Sequence, residues 1–386
     1  MKKIIIAILF VILLPFNVQA SQGNSNQVTS DIESSEQVEH LYDYIVNMKT
    51  EYEVLEGLDA KEFVKEFMKT GDGKVSFKKV FQAVVVYGFK EVAALFKSMS
   101  IVIIIAIVCA LLNNLQNAFN KNDLSSIAYF ACYALLIIVI SKSFYNAVAV
   151  ARDTITRIAD FMGAIMPVLM TLLATVGGFT QAAVMDPVII AAININAKIY
   201  INIIIPLIFM GFVLQFVNNI SDEFKIDKMT KLLNQVAIWT QGIIMTIFVG
   251  IVSIRGITSK TIDQVTAKTA KYAVDNFIPV IGKALSDAIS TVAGYSLLLK
   301  NAISGLGLII ILIMVIFPVI KILLMSFVYK LTAALIEPIS DSKIVNCISS
   351  VGNSLTLLMS CVISVSIMFF IMIAIIAAAG KLSIGG

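Results

Sequence analysis

The stretch NAISGLGLIIILIMVIFPVI, from Asn301 to Ile320, carries no charged residue along its whole length. A helix that crosses a bilayer needs about 20 consecutive apolar residues, and this stretch supplies them. Six further uncharged apolar runs occur: Ser98–Asn120, Leu124–Ser141, Phe161–Met185, Ile199–Ser221, Leu232–Ile254 and Leu355–Ala379. Hydropathy alone therefore predicts seven membrane spans.

The composition places the whole chain in the membrane. Hydrophobic residues make up 59% of it and charged residues 14%, against about 25% charged in soluble domains. The net charge of +4 is spread out, which argues against nucleic-acid binding. His40 is the single histidine, and the sequence has no phosphate loop, HExxH or GxSxG motif. The sequence thus predicts an all-α polytopic membrane protein that is not an enzyme and has no metal or cofactor.

The first twenty residues, MKKIIIAILFVILLPFNVQA, have the pattern of a cleaved secretory signal peptide. Lys2 and Lys3 precede an apolar core from Ile4 to Leu14, and Val18-Gln19-Ala20 (18–20) is a small-residue cleavage site. An uncleaved anchor is the alternative. Residues 21–97 then form an exported helical region with a flexible start.

The membrane part also repeats itself. IMPVLMTLLATVGG (Ile165–Gly178) matches FIPVIGKALSDAISTVAG (Phe277–Gly294), and in both a Pro-Val precedes a Thr-Val-x-Gly. Further along, IIIPLI with Pro206 matches VIFPVI with Pro318, at the same separation as the first pair of prolines. Ordered matches of this kind indicate an internal duplication. We therefore divide the body into a first hairpin and amphipathic connector (98–160), membrane repeat 1 (161–275) and membrane repeat 2 (276–386).

The matched Pro/Gly segments are the candidate pathway or gate. Lys283 and Asp287 share a helix face and could pair, and charges at membrane depth are usually functional. We expect both copies to be broken or re-entrant helices with the same fold, which gives six spans; if both cross the bilayer, there are eight. The candidate gate residues are Pro279, Gly282, Lys283, Asp287, Thr291 and Gly294, with Pro167, Thr175, Gly177 and Gly178 in the first copy.

Other polar residues lie near the proline-containing spans. Asn194, Lys198 and Asn202 are four residues apart and form one polar line, which faces either an aqueous path or a partner, or else reaches the membrane interface. Pro206 and Pro318 predict helix kinks. Lys321, next to Pro318, is expected to extend towards the interface.

The stretch DNFIPVIGKALSDAISTVAGYSLLLKNAISGLG, from Asp275 to Gly307, resembles the stage III sporulation protein AE family, and the order of segments along the chain is similar too. The resemblance implies a multi-pass protein of the mother-cell membrane around the forespore. It implies a permease-like subunit of a secretion-like channel complex that links mother cell and forespore. The implied partners are proteins of the same operon, including a secretion-type ATPase and ring-forming bitopic proteins.

Two other functions remain open from the residues themselves. A stand-alone secondary transporter would also have duplicated repeats with interrupted helices. A non-conducting membrane scaffold would need no path through the protein.

Overall fold

The computed structural model describes residues 36–49, 59–70, 77–118, 123–176, 179–220, 226–277 and 282–379. All regular elements in these ranges are helical. They are α1 (Glu36–Lys49), α2 (Ala60–Thr70), α3 (Phe77–Ala118), α4 (Asp123–Thr175), α5 (Phe179–Ile199), a π-helical turn (Tyr200–Ile204), α6 (Ile205–Ile220), α7 (Asp227–Phe277), α8 (Gly282–Ile336) and α9 (Ser342–Ala378). The predicted all-α class is confirmed for this part of the chain. The predicted signal peptide lies outside it.

Six of the described helical segments are long and apolar enough to cross a membrane, which indicates a multi-pass membrane protein. They are Phe81–Asn114, Ile127–Thr175, Pro187–Val217, Asp227–Ile254, Ala293–Ile336 and Ser342–Ala378. The expected separate span Phe161–Met185 does not form. Its first part is the end of α4, and a new helix starts at Phe179.

The longest helices exceed the thickness of a bilayer. α4 has 53 residues and α8 has 55. At 1.5 Å per residue each measures about 80 Å, whereas the hydrocarbon core is about 30 Å thick. Both helices must therefore continue well beyond the lipid.

The exposed apolar side chains show which part of each helix faces lipid. On α4, the large exposed apolar residues all lie between Ile127 and Tyr145, and on α8 between Leu323 and Leu335. The remaining described side chains of α4 and α8 are buried, half-buried, small or polar. The bundle thus has a lipid-facing zone near the start of α4 and the end of α8. Away from this zone, α4 and α8 are covered by other helices.

We call the opposite part of the molecule the convergent end. There the last turns of α4 and of α9 meet the middle of α8, as the closeness of Ile165, Gly307 and Ile373 shows. The polar stretch Ala147–Asp160 lies in the middle of α4, and Thr258–Asp275 forms the last part of α7. A common side of the membrane for these two stretches, which the six-span alternative requires, stays a prediction.

The central helix is α9, which packs against α4, α5, α6, α7 and α8. No large apolar side chain of α9 is exposed among its described residues. Small residues permit this close packing. A Cβ on Gly352 would lie 2.7 Å from Lys330 Cγ and 3.1 Å from the carbonyl oxygen of Ser326 on α8. Asp341 starts the helix, because its side chain accepts a hydrogen bond from the backbone N–H of Lys343.

One proline does not break its helix as predicted, and the kinks predicted at Pro206 and Pro318 stay predictions. Pro167 and Pro318 lie inside continuous α-helices, so the expected break at Pro167 is wrong. A proline inside a helix costs about 3 kcal/mol. Around Pro167 this cost is offset by packing, since Ile165, Met166 and Leu169 are all fully buried. Only Pro206 follows a local irregularity within these described helices, the π-helical turn.

The predicted boundaries after residues 97, 160 and 275 fall inside α3, α4 and α7. They are not helix ends, and the division into repeats stays a prediction.

Candidate functional site

The two predicted gate segments do not fold alike. In the first, α4 runs through Pro167 to Thr175, whose hydroxyl donates to the carbonyl of Leu172 at 2.8 Å. In the second, α7 ends at Phe277 and α8 begins at Gly282. The expected equivalence of the two copies is therefore wrong: each includes a helix junction, but the junction comes eight residues after Pro167 in the first copy and between Phe277 and Gly282 in the second.

Several predicted gate residues lie outside the described parts of the chain. These are Pro279, Gly177 and Gly178. The backbone of Lys283, Asp287 and Thr291 belongs to α8, but their side chains lie outside the description. Gly294 lies inside α8, and a Cβ there would meet open space. A role for these residues in a gate stays a prediction.

The predicted polar line lies on an outward face. Asn194, Lys198 and Asn202 are all exposed, and Asn194 Nδ2 donates to the carbonyl of Ile190 at 2.9 Å. The interior polar residue of this segment is Asn196, which is 2% exposed and whose Nδ2 lies 3.2 Å from Met368 Sδ on α9. The line therefore lies on the surface of the described helices rather than in their interior, and its role at an aqueous path, a partner or the membrane interface stays a prediction.

At the convergent end the structure buries a lysine that the sequence analysis did not single out. Lys300 on α8 is fully buried. Its Nζ donates to the carbonyls of Ile376 and Ala377 at 3.1 and 3.3 Å, and also to that of Ala379. In the sequence, Lys300 is a charged residue directly next to a long apolar run (SLLLKNAISGLG), and this position could have indicated a functional or buried lysine.

This lysine caps the end of α9. The last carbonyls of a helix have no partner within the helix, and the helix dipole makes that end negative. A buried ammonium group is costly unless hydrogen bonds satisfy it, and the free carbonyls provide them. The contact fixes α8 to the last turn of the central helix.

About two turns further along α8, three helices come into close contact. A Cβ on Gly307 would lie 2.5 Å from Ile165 Cδ1 on α4 and 3.3 Å from Ile373 Cδ1 on α9. Only a residue without a side chain allows this approach without movement of the isoleucines. Helices α4, α8 and α9 are therefore in direct apolar contact at this point.

The two short helices α1 and α2 cover this end. Thr171 Oγ1 on α4 lies 2.8 Å from Gln37 Oε1 on α1, and the rings of Tyr44 and Phe161 are 6.4 Å apart. On α2, Met68 Sδ lies 3.8 Å from the hydroxyl of Tyr295 on α8. Burial raises the pKa of Tyr44, the carboxylate of Asp160 raises it further and the Arg157 guanidinium lowers it, so that the phenol is neutral at physiological pH.

A second charged contact lies within the apolar helices. Lys321 Nζ on α8 is 3.1 Å from Glu91 Oε1 on α3, with 35% and 16% of the two side chains exposed. Beside it, the rings of Tyr87 and Phe317 meet edge to face at 4.9 Å. Lys321 therefore pairs with a carboxylate, where the sequence analysis expected it to extend to the interface alone.

Polar side chains also join the central helix to its neighbours. The hydroxyls of Ser326 and Thr356 both donate to the carbonyl of Gly352, at 2.7 and 2.9 Å. Ser360 Oγ donates to Gln241 Oε1 on α7 at 3.1 Å. Polar contacts of this kind hold helices together in a bilayer, where apolar side chains gain little from leaving lipid. Among the described residues, no group of three or more His, Cys, Asp or Glu side chains could hold a metal ion.

Comparison with known proteins agrees with the resemblance found in the sequence. The family model described as Stage III sporulation protein AE matches residues 58–380. Stage III sporulation protein AE of Bacillus subtilis (strain 168) is 34% identical over 376 residues, covering 95% of this chain and 94% of that protein. No solved structure matches the chain. The chain therefore belongs to the stage III sporulation protein AE family.

Proposed function

We propose that this protein is the permease-like membrane subunit of a secretion-like channel complex that links mother cell and forespore during sporulation. Family membership supports the sporulation role, and six long apolar helices support the place in a membrane. The observation that carries the conducting role is the Glu91–Lys321 pair, since both residues lie within apolar spans. Ionisable groups at such positions are rare and mark pathways.

The proposal includes a location and an orientation. The chain sits in the mother-cell membrane around the forespore, and a signal peptide at residues 1–20 exports α1 and α2. The convergent end then faces away from the mother-cell cytoplasm. The partners are the other proteins of the same operon, including a secretion-type ATPase and ring-forming bitopic proteins, in a hetero-oligomeric complex.

Removing each charge of the pair, and exchanging the two charges, tests the conducting role. Removing one partner leaves the other charge poorly compensated, which costs on the order of 3–5 kcal/mol when the pair is buried and less at this partial exposure. We expect Glu91→Ala and Lys321→Ala each to lower the yield of heat-resistant spores at normal protein levels. The double swap Glu91→Lys/Lys321→Glu should restore part of it. Normal sporulation of both single variants would instead favour the non-conducting scaffold.

A stand-alone secondary transporter is the second candidate. The π-helical turn before Pro206 favours it, because interrupted helices near the membrane midplane hold substrates in many transporters. Purified protein in liposomes separates the two functions. Transport of a solute without other proteins would support the transporter, whereas a requirement for the sporulation complex would support the channel subunit.

A further inference from the structure

We propose that α1 and α2 form a releasable lid over the convergent end of the bundle, and that the path through the protein opens when this lid leaves α4 and α8. The proposal rests on the proposed conducting function, because a lid regulates that same path. It adds a named gate within this chain.

The amphipathic character of the two helices fits a lid. On α1 the buried face carries Val38, Leu41 and Ile45, all at most 2% exposed, while Glu39 and Asp43 face outward. On α2, Phe63 and Val64 are buried, while Lys61, Glu62 and Lys65 are exposed. The outer surface of the pair is therefore charged, as expected for a cover that faces water.

Both helices depend on docking for their fold. They have 14 and 11 residues, and isolated helices shorter than about 12–15 residues are marginal in water. α2 keeps a cap of its own, since Asp59 Oδ1 accepts from the backbone N–H groups of Lys61 and Glu62 at 2.9 and 3.1 Å. Lys61 Nζ also lies 5.5 Å from the centre of the Tyr42 ring on α1, so the two helices contact each other and can move together.

The polar attachment of the lid is weak where the structure shows it. Gln37 and Thr171 are both exposed, so water competes for their hydrogen bond. By contrast, the end of α9 is fixed by the fully buried Lys300. The polar contact of the lid is therefore weaker than that of the end of α9, and the buried apolar faces of α1 and α2 supply most of the docking free energy.

The lid packs against α8 and α4 near the three-helix contact. The ring of Phe67 on α2 lies against Gly305, with Cε2 3.8 Å from the position a Cβ would take. Gly305 and Gly307 lie on different faces of α8, so α2 packs on the other side of α8 from the three-helix contact. On α4, Phe161 contacts Tyr44 of α1 and lies one turn before Ile165 on the same helix face. Departure of the lid uncovers α8 at Gly305 and removes the α1 neighbour of Phe161, which loosens α4 one turn before Ile165.

The first experiment measures release directly on the purified full chain. Amide hydrogen exchange should be at least about tenfold faster in α1 and α2 than in the described parts of α4 and α8 beneath them. Exchange of α1 and α2 as slow as that of α4 would overturn the lid, whatever the protein conducts.

The second experiment locks the lid. Cysteines replace Gln37 and Thr171 in a background without the four native cysteines and are joined by a short, reversible bis-methanethiosulfonate linker. The linked protein should lose spore formation or channel activity and regain it after reduction. The two single-cysteine variants, treated alike, should stay active. Full activity of the linked protein would overturn the gating role.

The two arms separate the two proposals. If no condition shows conduction, with or without the linker, the proposed function fails, and the exchange experiment still decides whether the lid opens. If exchange is fast and only the linked double variant is inactive, both proposals are supported.

Discussion

The helices α7 and α9 occupy corresponding places in the two proposed repeats but very different places in the bundle. In the most apolar window of α9, 50% of the residues are buried, against 22% for α7. α7 presents Trp239, Ile243 and Ile247 outward, whereas α9 exposes no large apolar side chain in its described residues. Similar order along the chain therefore does not give equivalent surroundings.

The side chains explain the difference. α9 carries small residues where it meets α8, such as Gly352 and Ser354, and these allow close contact on several sides. On α7, a Cβ added to Gly242 or Gly250 would meet no atom within 4 Å. Gly242 and Gly250 of α7 thus face open space or lipid, and Gly352 of α9 faces the backbone of a neighbour.

The largest expected difference between the helices comes from aromatic truncation. Phe369 on α9 is fully buried and packs against Phe248, whereas Trp239 on α7 is 72% exposed. Phe369→Ala should destabilise the protein by about 3–5 kcal/mol, since it leaves a cavity. Trp239→Ala should change stability by less than about 0.5 kcal/mol. Thermal unfolding in detergent measures both, and equal effects would contradict the central position of α9.

The next effect concerns the cap of α9. Lys300→Met keeps a side chain of similar length but removes the hydrogen-bond donor. The carbonyls at the end of α9 then stay buried without a partner, which costs about 1–3 kcal/mol each. We expect a clear fall in Tm and faster amide exchange in the last turn of α9. Lys198→Met, at an exposed position on α5, is the control and should leave both unchanged. Unchanged exchange at residues 376–379 in the Lys300 variant would argue against the cap.

A glycine pair sharpens the comparison further. Gly352→Ala forces a methyl group to within 3.1 Å of the Ser326 carbonyl, and overpacking of this kind costs about 1–3 kcal/mol. Gly250→Ala adds the same group to α7 where no atom is near, and helix propensity favours alanine by about 1 kcal/mol. Opposite shifts in Tm are expected, and a stabilising Gly352→Ala would show that α8 and α9 pack less closely.

The last test of the comparison needs no substitution in the protein. Trp239 is the single tryptophan of the chain, so its fluorescence reports on α7 alone. In bilayers of the isolated protein we expect lipids with brominated chains to quench it strongly. Absence of quenching would show that protein, rather than lipid, covers this face of α7.

The sequence predicted the helical membrane class because apolar runs of spanning length are a strong local signal. It failed at Phe161–Met185, where composition cannot distinguish a new span from the continuation of α4 under α1 and α8. It also failed for the matched prolines, since packing around Ile165 and Leu169 decides whether the helix continues. Lys300 was missed because its partners are backbone carbonyls of a distant helix, which no local pattern reveals.

The six-span arrangement is tested most directly by the sides of the membrane on which α4 and α7 project. In a background without the four native cysteines, a single cysteine replaces Thr156 in α4, Thr266 in α7 or Lys228 at the start of α7. Intact cells that express the protein are then treated with a membrane-impermeant thiol reagent. We predict that Thr156→Cys and Thr266→Cys both react, whereas Lys228→Cys reacts only after lysis. Reaction of only one of the first two in intact cells, with both reactive after lysis, would place them on opposite sides and contradict the arrangement.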